Sequence, residues 1–320
     1  MASDNKNAGE PAQIRSTTGR SALGEPLSVN RAPAPDLSPW IARVYATEVN
    51  LEPDFELACS QFADTPVLRV LFRGKWTAET RDGHEVHENC ALFFGPQTKP
   101  MPVSVTGSFA VLTLALKPGS VESLIGPKSV ETLDRIIRYD DLYDVEWANS
   151  EQLIKWFDPA APPDRWLSVA EKLFRQLLEF TKGAEPSPII AAFDRAAFAD
   201  PNLSIGDFIQ ENEIERRTFE RLVKKHFGLT PKQVLRRARA LDMAANLRGV
   251  ADNEEAEQLA LRYYDQSHLI REFSAYFGMT PKQFAQSSQP LLTISLEARQ
   301  ARRLEVLGRI EPEEGRPWLR

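Results

Sequence analysis

Cysteine is nearly absent. The 320 residues hold only Cys59 and Cys90, too few for a disulfide framework or a four-thiolate zinc site, and in keeping with a reducing compartment. Long apolar runs are missing too. No stretch approaches the roughly 18 consecutive apolar residues of a membrane-spanning helix, and the opening MASDNKNAGEPAQ has no basic segment followed by an apolar one. A membrane span and a secretory leader are therefore not expected, and a cytoplasmic location is. Catalytic signatures are equally scarce. There is no Ser/His/Asp constellation, no Walker loop and no Gly-rich dinucleotide turn, so an enzyme is not expected, nor is a cofactor. Positive charge is in deficit, 39 Lys/Arg against 45 Asp/Glu, which taken alone argues against a nucleic-acid partner.

The distribution of charge reverses that argument. From Arg216 to Arg248 the chain has ten Lys/Arg against Glu220 and Asp242, a net of +8, leaving −14 for the rest of a chain whose total is −6. A compact basic block in an acidic protein is the footprint of a localised phosphate-binding surface. A solvated basic helix face is the blander account of the same block.

Composition divides the chain. Residues 1–38 are rich in Ala, Pro, Ser, Asn and Gly without apolar periodicity, and read as a disordered tail. Residues 39–185 read as a β-rich domain with a helical end, suited to sensing or dimerisation. Its strand candidates are Val67–Phe72, Trp76–Thr80, Ala91–Phe94, Val103–Thr106 and Phe109–Leu116, with turn signals at Arg73-Gly74, Asp82-Gly83, Gly95-Pro96 and Pro118-Gly119. Short strands at such spacing suggest a small barrel or sandwich. Trp76, Phe93 and 109–116 could line a ligand cavity or simply form core. Helical periodicity over 165–180 places Trp166, Val169, Leu173, Leu177 and Phe180 on one stripe. The Pro/Gly-rich stretch Thr181–Pro188 reads as a hinge. Residues 186–290 then form a helical unit, and 291–320 a helical tail. The fold class is α+β.

The helical unit repeats itself at an offset of 50 residues. Phe219–Gln233 reads FERLVKKHFGLTPKQ and Leu269–Gln283 reads LIREFSAYFGMTPKQ, with seven of fifteen positions identical. In the first copy Ser204 and Asp207 suggest a capping box ahead of Ile205, Phe208 and Ile209 on one face. The next helix carries Phe219, Leu222, Val223 and Phe227 inward, against Arg216, Arg217, Glu220, Arg221, Lys224 and Lys225 outward. Gly228 suits a left-handed C-cap, and Thr230-Pro231-Lys232-Gln233 starts a further helix. Two short helices around a sharp turn, the second basic and outward, make a helix-turn-helix, whose second helix enters the major groove. In the second copy Ala256, Leu259 and Ala260 pattern the first helix, and Asp265 is a candidate N-cap. Leu269, Phe273 and Phe277 face inward, with Gln266, Ser267, Ile270, Arg271 and Ser274 outward. The connector Pro231–Leu247 would span about 26 Å at about 1.5 Å per residue, against about 34 Å between successive major-groove segments.

At these residues the chain resembles the AraC-type (arabinose operon regulator) family. Tyr264-Asp265-Gln266-Ser267-His268-Leu269-Ile270-Arg271-Glu272-Phe273, followed by Phe277-Gly278-Met279-Thr280-Pro281, is similar to the signature of the family's second unit. Arg221, Phe227-Gly228 and Thr230-Pro231 match the first, and Arg262 stands where the family usually has Gly. Residues 65–145 more weakly resemble the cupin-like N-terminal domain of some members. The resemblance implies an all-α domain of two helix-turn-helix units joined by a long helix, behind a small cupin-like β-barrel. It implies a sequence-specific transcription regulator, cytoplasmic and nucleoid-associated, whose partner is double-stranded DNA. It leaves room for a small-molecule effector, a homodimer and, for an activator, RNA polymerase. The family's base-reading positions fall on Arg217, Glu220 and Arg221, and on Gln266, Ser267 and Arg271. Lys224, Lys225 and Lys232 accompany them as phosphate contacts. Arg can donate to guanine, Glu accept from cytosine and Gln pair with adenine. A phosphate clamp at Arg221 and Arg271, and an ion pair of Glu220 with Lys224, are the competing accounts.

His84-x-x-His87-x-x-Cys90 is the one place a metal could sit. On a strand that spacing alternates faces, so a polar hairpin is expected instead, and His226 and His268 are expected to pack. Two other readings remain open: an adaptor whose basic helix meets an acidic partner, and an enzyme with an accessory DNA-binding part. Since both repeats and their connector lie between Pro188 and Gln289, that segment is expected to bind DNA on its own.

Overall fold

A computed structural model describes residues 14–124, 126–142, 149–251, 266–309, 316 and 318. The N-terminal part runs β1 (Arg15–Ser16), β2 (Val29–Arg31), β3 (Ile41–Asn50), β4 (Glu56–Gln61), β5 (Val67–Thr80), β6 (Gly83–His87), β7 (Ala91–Phe94), β8 (Met101–Leu116), α1 (Ser120–Ser123), β9 (Ile136–Arg138), α2 (Tyr139–Leu142), α3 (Ser150–Lys155) and α4 (Pro163–Thr181). All pairings are antiparallel. Two long strands, β5 and β8, lie side by side and change neighbours along their length. β8 pairs β4 through 101–106 and β3 through 109–116, while β5 pairs β7 through 67–70 and β6 through 76–80. Residues from both halves share one core, in which Trp76 meets Phe109 edge-on at 5.1 Å. The result is a small, folded-over antiparallel sheet. Its other face is covered by α4 through Trp166, Leu173, Phe174 and Leu177.

Four expectations change. Arg73-Gly74 is a bulge, not a turn: the β5–β8 register shifts on both sides of Arg73, and Gly74 has φ +97°. This bulge, like many tight turns, takes a residue tolerant of positive φ, so the two kinds of site leave the same sequence signal. The segments 103–106 and 109–116 likewise belong to one strand. Residues 14–38, expected as part of a disordered tail, are ordered by pairing. β1 and β2 both add to β3, and Ile14, Leu27 and Leu37 are buried. The buried stripe of α4 also takes in Ala170 and Thr181, with Val169 half-buried beside it, and leaves Phe180 56% exposed.

The C-terminal part contains α5 (Pro188–Ala199), α6 (Ile205–Glu211), α7 (Arg216–Phe227), α8 (Pro231–Leu247), α9 (Gln266–Phe277), α10 (Pro281–Gln286) and α11 (Pro290–Val306). Helix α5 starts at the end of the expected hinge. Its Phe193 meets Phe208, Phe219 and Phe227 edge-on at 5.0–5.6 Å, closing the core of the first unit. Phe273, Phe277 and Phe284 do the same for the second.

Helix α11 is no peripheral tail. It is buried along nearly its whole length, between the sheet and the helical part. Leu291, Ile294 and Ala298 enter the sheet core, while Leu292, Leu296, Ala301 and Leu304 join a core with Ala240, Leu241, Ala244 and Phe284. Buried charges pin both sides. Arg299 donates to Asp64 (2.7 Å) and also pairs with Asp242, which accepts from Arg303 at 2.7 Å. Arg302 pairs with Asp194, and Glu305 with Arg43, each at 2.6 Å. Glu25, in the ordered N-terminal segment, accepts from Arg248 of the turn after α8 and from the Gln289 backbone. Each such group would be costly to bury alone and is tolerated only as a pair.

Candidate nucleic-acid interface

The first unit is built by local chemistry. Ser204 caps α6 by accepting from the Asp207 N–H, without the reciprocal half of a capping box. Glu215 caps α7 by accepting from the Thr218 N–H, and the backbone N–H groups of Arg217 and Thr218 hold its carboxyl below the usual range. Phe219, Val223 and Phe227 then lie four apart and bury one stripe. Gly228 ends α7 at φ +72°, and Thr230 with Gln233 forms a complete capping box for α8. The second unit repeats these devices, with Gly278 at φ +68° and a capping box of Thr280 and Gln283.

The two glycines differ in one respect. A Cβ on Gly278 would meet nothing within 4 Å, whereas one on Gly228 would lie 2.7 Å from Leu133 Cδ2 in the N-terminal part. Both alanine variants carry the left-handed penalty of roughly 1–2 kcal/mol. Gly228→Ala is expected to lose a further 1–3 kcal/mol or so from overpacking. Urea denaturation of the two variants checks this, and equal losses would contradict a tight contact with Leu133.

The side chains that bury the inner stripe leave the outer face to charge. Arg217, Glu220, Arg221, Lys224, Lys225 and Lys232 are all exposed, and they line one trough along α7 and the start of α8. Glu220 pairs with Arg216 at 3.5 Å, one turn back, rather than with Lys224. In the second unit Leu269, Phe273 and Phe277 are buried as expected, and Arg271 is exposed. Gln266 and Ser267 begin α9, but their side chains lie outside the described residues. So do His268, the expected helix around Ala256, Leu259 and Ala260, and Asp265.

The basic block is smaller at the surface than its count. Arg236 and Arg239 both donate to Glu272 of α9 at 3.0 Å, tying connector and second unit together. Arg237 is 1% exposed and donates to the backbone oxygens of Gln97 and Asp64, and Arg248 is committed to Glu25. Six of the ten cations therefore face outward, beside Glu220.

His226 does not merely pack. Its Nδ1 meets the Glu122 carboxylate of the N-terminal part, and its carbonyl accepts from Ser129 Oγ at 2.9 Å. A contact between such distant segments leaves no trace in local sequence. His84 pairs with Glu79 (2.7 Å) and His87 with Glu85 (3.0 Å) on the hairpin β5–β6. Among the described residues no three His, Cys, Asp or Glu cluster as metal ligands would. Burial pushes the Cys59 thiol up to about 12, so it holds almost no thiolate at neutral pH. Trp76 belongs to the sheet core, and the apolar cavity lies on the opposite face. It has about 60 Å³ and is lined by Leu112, Leu114, Phe174 and Leu177 among others. No helix among the described residues is long and apolar enough to cross a membrane.

Residues 210–287 match a helix-turn-helix domain family, and residues 30–138 match a domain of unknown function (DUF6597). No curated protein matches the chain. Among solved structures the chain is similar to ToxT from Vibrio cholerae, at 12% identity and a TM-score of 0.44 over 76% of this chain and 97% of that one. The AraC-like transcriptional activator CuxR is similar at 9% identity and a TM-score of 0.29, over 76% and 82%. A cupin domain from Bordetella pertussis matches at 14% identity and a TM-score of 0.18, over 29% and 96%.

Proposed function

We propose that this chain, whose C-terminal part is an AraC-type helix-turn-helix domain, is a transcription regulator that reads two adjacent major-groove segments of its operator. The observation that carries the reading is the outer face of α7. Five cations and Glu220 stand there opposite a fully apolar inner stripe, on the second helix of a helix-turn-helix. Arg217, Glu220 and Arg221 are assigned to base edges, and Lys224, Lys225 and Lys232 to phosphates. Gln266, Ser267 and Arg271 are assigned to the second segment. The bonds from Arg236 and Arg239 to Glu272 support a fixed spacing between the two helices. Control by an effector is assigned to the N-terminal part, where the cavity between sheet and α4 suits a small apolar molecule.

Gel shifts of the full chain on genomic fragments, with and without competitor DNA, test the reading, and footprinting in the native host then locates the operator. Arg221→Ala is expected to weaken operator binding by about 1–3 kcal/mol and to relax preference at one base position. An equal loss on all sequences would make Arg221 a phosphate clamp, and no shift on any fragment would remove the proposal.

A further inference from the structure

The trough along α7 has a far wall that the helix-turn-helix does not supply. Lys128 and Val130, in the N-terminal part between α1 and β9, line it opposite the cations of α7 and Lys232. The wall is anchored. Ser129, buried between those two residues, bonds the last carbonyl-bearing turn of α7 at His226. His226 meets Glu122, and Leu133 closes on Gly228. With Ser129 turned in, its neighbours are turned out, and Lys128 is 66% exposed.

We propose that this segment belongs to the DNA interface. One strand's phosphate backbone would run in the trough between α7 and Lys128, with Lys128 contributing a phosphate contact from the N-terminal part. The inference rests on the reading of α7 as a recognition helix. Its support is charge and continuity. The trough collects seven cations, Lys128 included, against the single acid Glu220, which suits a polyanion. Its near wall and floor are the faces already assigned to DNA. Lys128 pairs with Glu131, 3.5 Å away and 55% exposed, a solvated pair that a phosphate can displace. The N-terminal part then touches DNA directly, and any shift of it against α7 changes affinity without altering α7 itself.

The test titrates binding of the full chain to a random-sequence 30-base-pair duplex against potassium chloride. One neutralised phosphate contributes about 0.9 to the slope of log K against log salt. Lys128→Ala is expected to reduce the slope by about that amount, and Lys128→Glu to weaken binding several-fold further. Unchanged slope and affinity in both variants would overturn the proposal while leaving α7 as the DNA helix. Tighter binding by either variant would also overturn it, since the segment would then be an obstruction over α7. Failure of the unmodified chain to bind any duplex would remove this inference together with the reading beneath it.

Discussion

A chain cut to residues 188–289 is expected to lose cooperative folding, and with it DNA binding, although both repeats remain. The cut removes α11, and with it the cover over the inner face of α8. Leu292, Leu296 and Leu304 are each at most 1% exposed against that face. At about 1.5–3 kcal/mol for each buried leucine, their loss amounts to roughly 5–9 kcal/mol. Asp242 would also lose Arg299 and Arg303 together. Single domains are stable by only about 5–15 kcal/mol, so the sum is on the scale of the whole. Circular dichroism and urea denaturation of the fragment, beside the full chain, check this. A sharp urea transition like that of the full chain, with DNA binding retained, would sink the expectation and restore the modular one drawn from sequence.

That reversal shows which features are legible in sequence. Capping boxes, the glycine C-caps and the inner stripe of α7 are each fixed by residues within four positions of one another. Thr230 and Gln233, Gly228, and Phe219 with Val223 therefore announced their roles. The strand Ala91–Phe94 was equally local, bounded by turn residues and apolar throughout. What failed was whatever depends on a distant partner. Composition made residues 14–38 look like a tail, because the chain that orders them, β3 and α11, lies elsewhere. A charge count gave Arg237 and Arg248 the same weight as Lys224, though one bonds the backbone of Gln97 and the other Glu25. The meeting of His226 with Glu122 spans over a hundred residues and carries no motif. The candidate residues of the first unit are legible as an exposed, charged helix face. The surface that faces them is not.

Replacing Lys224, Lys225 and Lys232 together by Ala is expected to have the larger effect on DNA binding. Three lost phosphate contacts flatten the slope of log K against log salt by about 2.7, and weaken binding near 0.1 M salt by two to three orders of magnitude. All three are exposed and make none of the buried ion pairs described above, so the fold should survive. The structure also bounds the total. With Arg236, Arg237, Arg239 and Arg248 committed internally, the first unit has six outward cations. Its own share of the slope cannot then exceed about 5. Replacing Gln266 and Ser267 by Ala removes no charge. It is expected to leave the slope nearly unchanged while reducing discrimination between operator and random DNA, because uncharged donors and acceptors read bases without releasing counterions. Side-by-side salt titrations of the two variants decide between this division of labour and an even one. In the even arrangement both units grip phosphates through backbone N–H groups and helix ends. Equal slope changes in the two variants would establish the even arrangement and end the unequal one.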